Sequence, residues 1–425
     1  MSGLSSPPSS ERDEAAWLRS APAIRVQCAK LFALAEKDEL ESWRLDLTKL
    51  PAASEYVLEV IRAEYPTLVI PYHARWRHFD VGSVDRTAAL TRALRDEGLD
   101  AAGVARAKIE LAIVSVLLDA GAGMGWRWKD PKDGRVYAKS EGLALASLQL
   151  FDGGGPFASD NGWQVTPHAL AAVDATALGR AFQVTPTNPL AGFDGRLALL
   201  AKLGDAVAKA PHFLSKTGGE RRLGNLFDAL EAASEKTPSG RRRVRAPQIL
   251  AALLEALGSI WPSRLSVAGV DLGDAWRHPQ LTARDQGLGI VPFHKLSQWL
   301  AYSLVEPLIE AGLDVEDLDG LTGLPEYRNG GLLIDLGVIV PRDAKLLSTP
   351  LAPDHAAIVS WRALTVVLLD RMATLVRRSL GKSQADFPLA CLLQGGTWTA
   401  GRKIAAARRG DGGPPLQIVS DGTVF

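Results

Sequence analysis

The stretch 102–120 constrains this chain most. Ile109, Leu111, Ile113, Val114, Val116, Leu117 and Leu118 fall on every side of a helical wheel, so a helix here leaves little polar face and must be buried all round. Such a helix needs others packed about it, and helical spacing recurs along the chain. It is read at 23–34 (Ile24, Val26, Cys28, Leu31, Phe32, Leu34), 56–61 and 140–150, then at 166–182, 195–210 and 246–259. Further helical patterns cover 290–311, 354–380 and 386–394. Period-two strands are scarce and short, the best being 68–71, 265–270 and 332–340. The expected fold is mainly α with minor β. Residues 1–22, rich in Ser and Pro over 1–13, are expected as a disordered N-terminal tail. An exposed Arg-rich linker at 240–245 would separate a helical N-terminal region, 23–239, from a helical C-terminal region, 246–425; the alternative is one integrated domain.

Composition removes several function classes. Lys plus Arg and Asp plus Glu both number 48, so no global field recruits nucleic acid or an acidic membrane surface. The two cysteines, Cys28 and Cys391, have no CxxC spacing, which argues against a disulfide framework or thiolate zinc and fits a reducing compartment. The N-terminus lacks the basic and apolar regions of a secretory signal, and no apolar run reaches the roughly 20 residues a bilayer span needs. The expectation is a cytoplasmic protein that meets a small molecule.

Three polar constellations interrupt the apolar helices. In the first, Tyr72-His-Ala-Arg-Trp-Arg-His-Phe79, the forked guanidinium groups of Arg75 and Arg77 suit carboxylate or phosphate, with Trp76 and His78 beside them. The competing reading makes the aromatics core and the arginines solvated. The second follows the buried helix: Asp119, then Gly121, Gly123 and Gly125, whose bare backbone allows close approach to a ligand. It has neither the GxGxxG nor the Gly-Lys-Ser/Thr spacing of a nucleotide loop. Asp119 is a candidate acid or base, or else a partner of Arg127.

The third constellation, between Asp274 and Asp335, carries the most chemistry. On a helix from Phe293, the side chains of Lys295, Gln298, Trp299 and Tyr302 share one face, while Leu296, Leu300, Ser303 and Leu304 share the next. A stripe of ammonium, amide, indole and phenol suits the wall of a polar pocket, with His294 at its head. In Leu321-Thr-Gly-Leu-Pro-Glu-Tyr-Arg-Asn-Gly-Gly331, a Pro and a Gly pair frame Glu326. Tyr327, Arg328 and Asn329 follow it, and Asp335 lies in the apolar run beyond. Two carboxylates near a lysine are the parts of acid–base work or of a stabilised cationic transition state, so Lys295, Glu326 and Asp335 are expected to converge on one cleft. No Gly-x-Ser-x-Gly elbow or His-Glu-x-x-His occurs.

Arg-Trp-Arg-His-Phe, Leu-Leu-Asp-Ala-Gly-Ala-Gly, Val-Pro-Phe-His-Lys-Leu-Ser-Gln-Trp-Leu and the Leu-Thr-Gly-Leu-Pro-Glu-Tyr-Arg-Asn-Gly-Gly segment together resemble a family of fungal and bacterial uracil-catabolism proteins, formerly a domain of unknown function. The resemblance spans roughly residues 23–394. It implies a place in a pathway that opens the uracil ring of a nucleotide and releases urea. Phe293-His-Lys-Leu-Ser-Gln298 and Leu321-Thr-Gly-Leu-Pro-Glu-Tyr-Arg328 are also similar to Phe-Tyr-Lys-Arg-Ala-Gln and Leu-Thr-x-Phe-Ala-Asp-Tyr-Arg of the queuosine salvage family. That likeness implies a ribonucleotide N-glycosidase and a helical fold related to the helix-hairpin-helix DNA glycosylases. Glu326 stands where that family has Asp, which alters the reach of the carboxylate.

The expected activity is hydrolysis of a ring-opened uracil nucleotide, such as a ribosylurea phosphate, to urea and ribose phosphate, with no organic cofactor and no metal. Glu326 would face the anomeric carbon and Lys295 would hold phosphate or a sugar hydroxyl. Asp335 or Asp119 would take a second catalytic position, with Arg75, Arg77 or Arg328 on the phosphate. Trp76, His78, His294, Gln298, Tyr327 and Asn329 complete the substrate-binding candidates. The alternatives are a metal-dependent amidohydrolase or deaminase using His73, His78, His278 and His294, and a non-catalytic pathway partner.

Overall fold

The structure is a computed structural model that describes residues 10–119, 121–123, 125–152, 154–159, 162–216, 218–262, 264–282, 284 and 286–419. The chain divides into two compact units. The first holds the described residues of 1–73, 263–298 and 317–424, and the second those of 74–262 and 299–316. This interleaving replaces the expected split at 240–245. In chain order, the first unit opens with α1 (Glu11–Leu18), α2 (Ala21–Glu36) and α3 (Leu50–Glu64). The second contains α4 (Trp76–Phe79), α5 (Arg86–Asp96), α6 (Ala101–Leu117), α7 (Lys139–Leu148), α8 (Pro167–Ala171), α9 (Ala175–Ala181), α10 (Phe193–Lys209), α11 (Leu226–Ala233) and α12 (Ala246–Leu257). Next, α13 (Lys295–Glu310) gives its first turn to the first unit and the rest to the second. The first unit resumes with α14 (Tyr327–Asp335), α15 (Ala356–Leu380), α16 (Leu389–Leu392) and α17 (Trp398–Arg408). Strands are two to four residues long, which bears out mainly α with minor β. Among the described residues, no helix is long and apolar enough to cross a membrane.

The start of α1 corrects the expected tail. Ser10 accepts from the Asp13 amide and Ser20 from the Ala23 amide, so the two serines cap α1 and α2 where Ser-Pro content alone reads as disorder. Residues 1–9 lie outside the described part. Segment 68–71 is not a strand: Leu68 adopts a left-handed φ of 56° and Val69 is exposed. Segment 332–340 is a helix end followed by a short strand, because α14 runs to Asp335, Gly337 turns with φ of 73°, and only Ile339–Pro341 is extended. Residues 265–270 are not one strand but hold most of a hairpin of two-residue strands, Ser266–Val267 against Val270–Asp271. The supposed linker forms strand Arg242–Arg245, antiparallel to Glu235–Lys236 and parallel to Leu313–Glu316. Its arginines pair outward with Glu235 and Glu316 through Arg243, while Val244 alone is buried.

In the second unit α6 is buried from Ala107 to Leu117, as its composition requires. Its polar residues are each paired. Lys108, 1% exposed, donates to Glu310 Oε2 at 2.6 Å and lies 4.9 Å from the Trp76 ring centroid. Glu110 accepts two bonds from Arg222, 2.7 and 2.6 Å. Pro307 lies inside α13 and has no N–H for the carbonyl of Ser303. The Trp76 indole takes that acceptor at 2.7 Å, tying α4 to α13.

In the first unit α14 packs on α15 and α17 through glycines. A Cβ at Gly330 would collide with the Trp361 indole, and one at Gly401 with the backbone of Arg328. Helix propensity alone favours Ala over Gly at an interior position by about 1 kcal/mol. Overpacking a buried indole costs about 1–3 kcal/mol, so the clash should win. Gly330→Ala is therefore expected to lower the denaturant midpoint of unfolding; a variant more stable than wild type would show that the α14–α15 contact yields freely.

Candidate functional site

The first unit assembles a buried electrostatic frame about Asp274. Arg362, wholly buried in the apolar α15, donates to both carboxylate oxygens at 2.7 and 2.8 Å. The Trp276 indole adds a bond to Oδ1 at 2.8 Å, and the backbone N–H of Lys295 one to Oδ2 at 3.0 Å. The Arg362 guanidinium stacks 4.0 Å over the Phe293 ring. Burial alone would raise the Asp274 pKa, but the charge and hydrogen bonds of Arg362, with those of Trp276 and Lys295, hold it well below the usual carboxylate range. His294 adopts a left-handed φ of 47°, and its Nε2 lies 2.9 Å from the Leu18 carbonyl. That bend ends the strand Ile290–Pro292, which replaces the start of the helical pattern expected over 290–311, and lets α13 begin at Lys295, two residues after Phe293.

Glu326 is the N-cap of α14. Its Oε2 accepts from the Arg328 amide and its Oε1 from the Asn329 amide, both at 2.7 Å. The carboxylate is half-buried. Burial raises its pKa, and the two backbone N–H groups and the charges of Lys295 and Arg328 offset this only in part. Lys295 is therefore close enough to act on Glu326 electrostatically. Tyr327, beside it, is pushed up to about 12 by burial and then by the Glu326 charge.

Asp335 does not join them. It ends the helix that Glu326 starts, and nine residues of helical rise separate the two by about 13 Å. Arg409 holds it in a bidentate pair at 2.8 and 2.6 Å. Gln298 is committed to structure: its Nε2 donates to Thr322 Oγ1 and the Phe293 carbonyl, and its Oε1 accepts from the Thr322 amide. Arg328 donates to the Gly412 carbonyl at 2.9 Å. Asn329 is wholly buried; its Nδ2 donates to the Leu324 carbonyl at 3.0 Å, and its Oδ1 has no hydrogen-bond partner.

The remaining candidates belong to the second unit. Arg75 is wholly buried, bonding Ser115 Oγ at 2.7 Å and pairing with Asp119 at 3.0 Å, 5.6 Å from the Trp299 ring centroid. Asp119 thus pairs with Arg75, not Arg127, and also accepts from Ser140 at 3.1 Å. Burial raises its pKa despite the Arg75 charge and hydrogen bond. Arg77 pairs with Glu306 at 2.7 Å, and the rings of His78 and Trp299 meet edge to face with centroids 5.7 Å apart. Tyr302 is buried. A cavity of about 460 Å³, walled by Trp128, Phe151, Trp163, Leu94, Arg86 and Asp130, includes none of the predicted site residues.

The four histidines form no cluster. His73 meets Gln394 Oε1 at 3.0 Å, His278 meets Ser360 Oγ at 2.7 Å, and His294 and His78 sit as described. Among the described residues, no group of three or more His, Cys, Asp or Glu side chains is arranged to hold a metal ion.

A family model described as a protein of unknown function, DUF1688, matches residues 17–425. The chain belongs to that family. It is 39% identical over 421 residues to protein urg3 of Schizosaccharomyces pombe, covering 96% of this chain and 98% of that protein. It is 36% identical over 438 residues to uracil catabolism protein 4 of Lachancea kluyveri, with the same 96% and 98% coverage.

Sequence reasoning singled out Glu326 and Lys295 and passed over Arg362, whose signal was a lone arginine amid the apolar positions of 356–369. Removing the charge of Asp274 would leave that guanidinium buried and uncompensated. Asp274→Asn is expected to cost about 3–5 kcal/mol in chemical unfolding at neutral pH. Because the folded-state pKa is depressed, this contribution is present above the ordinary carboxylate pKa and is lost as pH falls through the folded value. The difference between wild type and variant should therefore shrink in acid; a difference independent of pH would refute the charge argument.

Proposed function

We propose that this protein acts in uracil catabolism as an N-ribosyl hydrolase. Its substrate would be a ring-opened uracil nucleotide such as ribosylurea phosphate, and its products urea and ribose phosphate. The observation that carries the reading is Glu326: a half-buried carboxylate locked at a helix start, with an ammonium nearby and a raised pKa. The name of the Lachancea kluyveri relative, uracil catabolism protein 4, supports the pathway.

The chemistry needs such a group. As the C1′–N bond lengthens, positive charge grows on the sugar ring, and a fixed anion lowers that barrier. Each Glu326 oxygen spends one lone pair on a backbone N–H and keeps another for water or the ring. Water adds its oxygen to C1′; one of its protons passes to Glu326 and is restored to the departing urea nitrogen. A carboxylate whose pKa is raised by burial is the better base for that transfer. Lys295 grips phosphate or a sugar hydroxyl.

Glu326→Gln keeps the shape and removes the charge. Release of urea and ribose phosphate, followed by mass spectrometry, is expected to fall at least about 10²-fold with little change in binding. In wild type, kcat/KM should decline as pH falls, with an apparent pKa above the ordinary glutamate value of 4.5. A folded Glu326→Gln protein with near-full turnover would reduce Glu326 to a helix cap.

A further inference from the structure

The cavity of the second unit is walled by one complete face of a helix. Arg86, Ala89, Leu90, Ala93, Leu94 and Glu97 recur at spacings of three and four, so a single stripe of α5 borders the space from end to end. Eleven residues of helical rise make that wall about 16 Å long. Leu145, Leu148, Gln149 and Asp152 form a second such stripe, at the end of α7 and just beyond it. Trp128 and Trp163 add walls from two short antiparallel strand pairs, Trp128–Lys129 with Val136–Tyr137 and Ala158–Ser159 with Gly162–Trp163. Protein interiors hold few voids larger than a water molecule, whereas about 460 Å³ lies within the roughly 300–1,000 Å³ of small-molecule sites. Ala89 and Ala93, both on the α5 wall, are exposed, so the space is reached from solvent.

Two features of the lining select the ligand. The first is aromatic surface: Trp128, Phe151 and Trp163 all border the space, and the Phe151 and Trp163 ring centroids lie 4.9 Å apart. A flat ring gains from such neighbours beyond its buried area. The second is an amide with capacity to spare. Gln149, half-buried, donates from Nε2 to Asp152 Oδ2 at 3.0 Å. That bond fixes which end of the amide is nitrogen, and among the described residues it is the only hydrogen bond this side chain makes. One N–H and Oε1 therefore remain, adjacent on one planar group. Their match is a ring edge with an N–H beside a C=O. Charge narrows the class further. Glu97, Asp130 and Asp152 line the space against Arg86 and Lys132, and Arg86 is already paired with Asp130 at 2.7 Å. A phosphate here would meet two carboxylates and one cation beyond that pair.

We propose that this cavity is a second ligand site, binding an uncharged nucleobase or nucleoside whose ring carries an N–H next to a carbonyl. The ring lies among Trp163, Phe151 and the apolar stripe of α5. Its N–H donates to Gln149 Oε1, and its carbonyl accepts from Gln149 Nε2. A base without a carbonyl, such as adenine, lacks half of that pattern. The site does not rest on the Glu326 reading: its walls all come from residues 86–163 of the second unit, and its charge disfavours the phosphorylated substrate proposed there.

The test is equilibrium binding to the full chain by titration calorimetry, with uridine, adenosine and uridine 5′-monophosphate as probes. Uridine is expected to bind saturably with a Kd below about 1 mM, and the other two at least about tenfold more weakly. Gln149→Leu keeps the bulk of the side chain and should weaken uridine about tenfold with adenosine unchanged, which abolishes the discrimination. Ala93→Phe fills the space from an exposed helix position, so it should abolish uridine binding while the unfolding midpoint stays near that of wild type. No saturable binding of uridine to wild type would overturn the proposal, as would adenosine or the monophosphate binding as tightly as uridine. So would a Gln149→Leu protein, or a folded Ala93→Phe protein, that binds uridine as wild type does. Glu326→Gln is expected to bind uridine like wild type; loss of binding there would move uridine to the Glu326 site and also overturn the proposal.

Discussion

The first unit depends on one buried ion pair. Asp274 and Arg362 meet with two bonds in an otherwise apolar interior, and neither would be tolerated there alone. Such a pair contributes less to net stability than to uniqueness of arrangement. Here the arrangement is informative, because Asp274 also caps α13 through the Lys295 amide. The residue that places the lysine backbone is thus held by an arginine in α15, and α15 in turn packs on α14, where Glu326 sits. The lysine and the glutamate come from helices that start independently, and the helix behind them sets both.

The two carboxylates emphasised by the sequence end up with different work. Asp335 has a fixed partner at the closed end of α14, where a cation also complements the helix dipole. Glu326, at the other end, accepts from two backbone amides and feels the charges of Lys295 and Arg328. A carboxylate committed to an arginine is a strut; one held by amides keeps lone pairs for chemistry. The same distinction separates Gln298, bonded on both ends to Thr322, from Asn329, bonded on one.

Helical periodicity made much of the fold legible: α2, α6, α10, α12 and α15 were all marked by their apolar residues. It failed where local polar chemistry decides. The caps at Ser10 and Ser20 turn a polar opening into two helices. The glycines at 330 and 331 read as a break but are contact points inside α14. The arginines of 242–245 read as solvated loop because, of the four strand positions, only Val244 is apolar and buried. At the site, the Glu-Tyr-Arg-Asn motif was legible because polar residues between apolar helices stand out. Arg362 was not, since it is one polar side chain in a run of otherwise apolar positions, and the distant aspartate that lets it be buried leaves no local sequence signature.

Between α16 and α17 the chain passes through a π-helical turn, Leu393–Thr397, which sets the phase of everything after it. Relative to a regular α-helix it inserts about one extra residue, and one residue corresponds to about 100° of rotation. Gly401, the position that meets the Arg328 backbone, faces α14 only because of that added rotation. In an uninterrupted α-helix a bulkier side chain would point at α14 instead and the two helices could not approach so closely. The irregular turn therefore works as a phase shifter, and the close seating of the helix that Glu326 begins is set by a residue count in another helix, seventy positions along the chain.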